Sequence, residues 1–140
     1  MDFYELNEQA TLLTNDTISE LDLLIDKSLS TSFDIPDYDS VRDRPKEFYT
    51  MYGNLTTFYN DLNMGILKAN HLLLTLKELV AKIATNKSVQ YTVTKEVLSK
   101  FKININKVQE KLDSIKDYRD SLQYTLRFYQ NMNYLFSHSY

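Results

Sequence analysis

Cysteine is absent from this chain of 140 residues, and glycine and proline occur only twice each. Without cysteine there is no disulfide, no thiolate catalysis and no cysteine-ligated metal, which suits a reducing compartment. So little glycine and proline leaves a sandwich, a barrel or a phosphate-cradling fold almost no turn material. Long apolar runs are missing too. The most apolar stretch, residues 71–83, is interrupted by Lys77, Glu78 and Lys82 and falls well short of the ~20 residues that cross a bilayer. Residues 1–10 carry Asp2, Glu5 and Glu8 and lack a basic region followed by an apolar block, which argues against a secretory signal. The expected protein is soluble and intracellular, cytoplasmic by preference with the nucleus as the other option. The Asn-x-Ser/Thr triplets at Asn15, Asn54 and Asn86 are then chance matches.

The residue patterns that carry chemistry are missing as well. His71 and His138 have no carboxylate or second histidine at a spacing that would pair them on a metal. A bundle that holds a di-iron centre shows Glu-x-x-His on its inner faces, and none occurs. Neither Gly-x-Ser-x-Gly nor His-Glu-x-x-His is present. The expectation is a chain that is not an enzyme, with no catalytic residue, no metal, no cofactor and no small-molecule substrate.

What the chain does have is an apolar or small residue at alternating steps of four and three: Phe48, Tyr52, Leu55, Tyr59, Leu62, Ile66, Ala69, Leu73, Leu76, Val80 and Ile83. Such a repeat keeps one seam of an α-helix turned toward a neighbour for many turns. It predicts a helix from about Pro45, a residue suited to a first helical turn, to about Thr85, ~60 Å at 1.5 Å per residue. Met51, Phe58, Leu72 and Leu79 add another column, interrupted by Gly65, so this helix needs at least two neighbours. Gly65 implies a close helix crossing or a kink.

Two further helices follow from the same reasoning. One spans about Asp2 to Ser30, with Asp2 and Glu5 spaced as a capping box and a weak point at Thr14 to Asp16, where a break is one option. The other spans about Val93 to Ser137 on Leu98, Phe101, Ile105, Val108, Leu112, Ile115, Arg119, Leu122, Leu126, Tyr129, Asn133 and Phe136. Arg119 and Asn133 are polar members of that seam, and drift of the stripe toward Tyr118, Thr125 and Met132 leaves no charge to desolvate. Between helices, residues 31–44 form an acidic linker, and Val89, Tyr91 and Val93 alternate as a strand would, although extended linker is the default there.

The fold class is therefore all-α: an elongated antiparallel three-helix bundle with coiled-coil-like heptad packing, in which residues 45–140 form a long helical hairpin and residues 1–30 lie alongside, a single domain overall. Charge divides unevenly. Residues 1–45 hold eleven Asp and Glu against three Lys and Arg, and residues 46–140 hold eight against thirteen. Folding the first segment along the long helices would match the two fields. The pattern is similar to helical subunits of tethering, cytoskeletal and kinetochore-like assemblies in architecture alone.

Function is then a matter of surface. The expectation is a non-enzymatic protein–protein interaction module, an adaptor or structural subunit that binds other proteins or itself by helix packing. The candidate interface residues are Leu67 and Leu74, which lie off the packing seams; Phe33, Ile35 and Tyr38 in the acidic linker, whose apolar side chains pack on the bundle end in the preferred reading and dock on a partner in the other; and Tyr124, Phe128 and Tyr134 in the ring-rich end that runs from Gln123 to Tyr140. The alternative is a small helical inhibitor or regulator that masks a partner's surface. Nucleic-acid binding is the weaker option, because Glu96, Glu110, Asp113 and Asp117 dilute the column of Lys95, Lys102 and Lys116.

Overall fold

The structure is a computed structural model that describes residues 2–138. It contains four helices in chain order, α1 (Phe3–Ser30), α2 (Tyr38–Arg42), α3 (Pro45–Thr85) and α4 (Tyr91–His138), and no strand among the described residues. The four pack together, with α1, α3 and α4 in mutual contact and α2 against α3.

Each boundary has a local cause. Asp2 caps α1, its carboxylate accepting from the Glu5 amide at 2.8 Å. The helix does not break near Thr14. Thr14 and Thr17 are buried, and their hydroxyls donate to the carbonyls of Ala10 and Leu13 at 2.7 Å each. These side chains thus satisfy themselves within the helix instead of capping a new one. Pro45 opens α3 at its first turn. In the acidic linker, Pro36 disfavours helix at the residue before it but not beyond, and the one-turn α2 forms just downstream, where the Val41 amide donates to the Asp37 carbonyl at 3.0 Å. The strand-like alternation at residues 89–93 resolves into the start of α4. The Gln90 carbonyl accepts from the amides of Val93 and Thr94, so Tyr91 and Val93 fall in the first helical turn and the helix starts two residues earlier than its periodicity suggested.

Side-chain packing gives the directions. Phe48, at the start of α3, meets Tyr129 and Phe136 near the end of α4, while Leu76 and Ile83 share a cluster with Phe101. The two helices therefore run antiparallel. Phe3, Leu6 and Ala10 join that second cluster, whereas Leu21 packs in the larger one with Leu55, Leu62 and Ile66, so α1 runs antiparallel to α3. The 4-3 seam of α3 is buried at Phe48, Leu55, Leu62, Ile66, Ala69, Leu73, Leu76 and Ile83. At Arg119 the stripe does drift. Tyr118 and Met132 pack against the core, while Arg119 turns to the neighbouring Asp120 at 3.2 Å.

The acidic charge on α1 is partly matched across the interfaces. Lys68 of α3 reaches Glu20, and Lys111 of α4 reaches Asp22, each at 2.6 Å. The two carboxylates lie on opposite flanks of the buried Leu21, so one pair points to each neighbouring helix. Exposed pairs of this kind contribute at most about 1 kcal/mol each; apolar burial supplies the larger part of the packing energy.

Candidate functional site

Gly65 explains the most distinctive surface of the molecule. A side-chain carbon at this position would stand 2.6 Å from a methyl carbon of Leu24, so glycine here admits Leu24 of α1 close against α3. This is the close crossing; α3 itself is continuous through it. The Leu24–Gly65 contact floors a depression of about 280 Å³ between α1 and α3, with Leu23 and Lys68 on its rim. Lys68 leans back to Glu20, which leaves its methylene stem on the surface.

Beyond that rim lies an apolar strip on the outer side of α3. Met64, Leu67 and Leu74 are 66%, 65% and 60% exposed, and with His71 they recur at steps of three, four and three, which places them on one face. Met64, Gly65, Leu67, Lys68 and His71 together line a second shallow depression. Thus Leu67 and Leu74 stand outward, as their spacing implied. Met64 belongs with them; its signal was its place three residues before Leu67.

The other candidates separate into packed and free groups. Phe33 is half-buried with its ring 5.8 Å from Phe58, and Tyr38 stacks on Phe136 at 5.6 Å. These two fasten the acidic segment to the end of the helices. Ile35 remains exposed. On α4, Tyr124 is exposed and meets the half-buried Phe128 edge-on at 5.3 Å, and the exposed Tyr134 stacks on His138 at 4.1 Å. Much of the ring-rich end is core, since Tyr129 is fully buried under Phe48. Tyr140 lies outside the described residues. The structure does not bring all the candidates into one site: Leu67 and Leu74 stand on the middle of α3, whereas the acidic segment meets the end of α4 where Tyr38 stacks on Phe136.

Burial pushes the phenols of Tyr118 and Tyr129 above their ordinary value of 10.0, with the negative charge of Asp34 adding to the effect at Tyr129. Their hydroxyls donate to the backbone carbonyls of Thr31 and Asp34 at 3.2 and 3.0 Å. Both groups are holding the connection after α1 in place. Among the described residues no three His, Asp or Glu side chains gather as a metal site, and no helix is long and apolar enough to cross a membrane.

No protein-family model, curated protein or solved structure matches this chain.

Proposed function

We propose that this chain is a non-enzymatic interaction module, an adaptor or structural subunit of a multiprotein assembly. In this reading α1, α3 and α4 form an elongated three-helix bundle with heptad-like packing, and a helix of another protein or of a second copy lies along the outer side of α3. The observation that supports it is the strip of Met64, Leu67 and Leu74. Three long apolar side chains stand mostly in water at helical spacing on a helix whose opposite side is already buried. With His71 between them they stand at i, i+3, i+7 and i+10, the spacing of the anchors by which helices recognise one another, and exposed apolar residues aligned in this way are characteristic of interaction surfaces. The workplace is intracellular, cytoplasmic in the first instance.

Sedimentation of the full chain across a wide dilution series tests the reading. The expected result is a mass that rises with concentration and returns to that of the monomer in Leu67→Glu and Leu74→Glu, both of which retain the helical signal and thermal midpoint of the parent. A parent that stays monomeric at every concentration overturns the version in which a second copy covers α3 and argues against an obligate subunit, in favour of the small inhibitor or regulator. Self-association untouched by either substitution moves the interface away from α3.

A further inference from the structure

At the turn between α3 and α4 lies a cavity of about 430 Å³, within the ~300–1,000 Å³ range of small-molecule sites. Three exposed lysines, Lys87, Lys95 and Lys102, are among the residues that line it, and no Asp or Glu is. Lys95 and Lys102 are one heptad apart, so they project from the same side of α4. In the middle of the molecule, Lys68 and Lys111 each find a carboxylate at 2.6 Å. Among the described residues the three lysines of the cavity find none, in common with the remaining lysines of the chain, and what sets them apart is that they share one concave surface. Like charges gathered round a concave surface raise the local positive potential, and the first turn of α4, which holds no acidic residue, does not offset it.

We propose that this cavity binds a small organic phosphate, its phosphoryl group among Lys87, Lys95 and Lys102 and its carbon body on Val89 and Leu98. The lysines carry most of the recognition, because the aliphatic hydroxyls of the lining are engaged elsewhere, Thr94 donating to the Gln90 carbonyl and Ser99 to the Lys95 carbonyl, while the exposed phenol of Tyr91 is a further donor at the edge. Asn86 turns its side-chain oxygen to Ser88, which leaves its amide NH2 as a further donor on the wall. A phosphomonoester carries close to two negative charges at neutral pH, so it answers three cations on one concave surface better than a monocarboxylate does. The apolar part of the lining favours an anion with a carbon body over the bare ion. This site is independent of the strip on α3.

Titration of the isotope-labelled full chain with phenyl phosphate, inorganic phosphate, benzoate and sodium chloride at matched ionic strength, followed by amide chemical shifts, tests the assignment. Saturable shifts confined to residues 84–102 are expected, with half-saturation at lower concentration for phenyl phosphate than for inorganic phosphate or benzoate. The double variant Lys95→Gln/Lys102→Gln raises the phenyl phosphate half-saturation about tenfold or more, equivalent to about 1.4 kcal/mol. Lys100→Gln/Lys107→Gln, on exposed positions of the same helix outside the cavity, leaves it unchanged. Shifts that do not saturate, that sodium chloride reproduces, or that weaken equally in both double variants overturn the proposal. Inorganic phosphate binding as tightly as phenyl phosphate removes the carbon-body part and with it the organic ligand.

Discussion

The phenol of Tyr129, near the end of α4, donates a hydrogen bond to the backbone carbonyl of Asp34 at 3.0 Å, in the connection after α1. The same ring stacks on Phe48 of α3 with centroids 5.5 Å apart and planes 10° from parallel. One side chain therefore ties together the start of α3, the end of α4 and the acidic segment that joins α1 to α2.

Removing the hydroxyl and removing the ring should separate these roles. Tyr129→Phe loses one hydrogen bond to a carbonyl on an exposed residue, which water can replace, so a destabilisation of about 1 kcal/mol is expected. Tyr129→Ala empties a fully buried site and should cost about 3–5 kcal/mol. Urea unfolding of the two variants against the parent measures both.

Alkaline titration should act through the same residue. The folded-state pKa of Tyr129 lies above its ordinary 10.0, so the folded state holds the phenolic proton at pH values where the unfolded state has released it. The associated stability is fully present below pH 10 and is lost as pH rises from there through the folded-state value. Tyr118, raised in the same direction, acts alike. The urea midpoint of the parent should fall more steeply above pH 10 than that of Tyr129→Phe, and coincident slopes would remove Tyr129 from the effect.

Gly65 sets two opposing terms against each other. Gly65→Ala gains about 1 kcal/mol of helix propensity and displaces the flexible end of Leu24, whose methyl carbon stands 2.6 Å from the added atom; an off-rotamer side chain loses about 0.5–1.5 kcal/mol. The net change should lie within about 1 kcal/mol of zero. In a Leu24→Ala background the opposing contact is gone, and the same substitution should stabilise by about 1 kcal/mol. A double-mutant cycle on thermal or urea unfolding yields the coupling directly.

Buried threonines in α1 offer a stabilising change. The Thr14 and Thr17 hydroxyls bond only to carbonyls of their own helix, an arrangement that slightly weakens and bends helices. Thr14→Val/Thr17→Val keeps the shape and replaces a polar group by a methyl in the core, so a gain of about 0.5–1 kcal/mol is expected from the added apolar burial. A lower thermal midpoint in the double variant would show that the hydroxyls contribute more than their helix-local bonds suggest.

The long helices were legible because their information is local. A 4-3 repeat, Pro45 at a first turn and Asp2 three residues before Glu5 each act within a few residues of themselves, and α3 runs over the span, Pro45–Thr85, that these signals imply. Leu67 and Leu74 were visible as outward positions for the same reason. Less legible was whatever depends on a second helix. Periodicity says that a residue faces something without saying what, so it left Thr14 as a candidate break, Gly65 as crossing or kink, and Phe33 and Tyr38 between docking on a partner and packing on the end of the bundle.

The amino-acid order by itself thus determined that this protein is helical, where three of its helices lie and which face of each is apolar, because helix periodicity is written in neighbours along the chain. Tertiary structure alone decided that Leu24 fills the space beside Gly65 and that Tyr129 holds Asp34. It also left Lys87, Lys95 and Lys102 around one cavity without a carboxylate. Those outcomes follow from the register between helices, and register is settled by how side chains distant in sequence interlock.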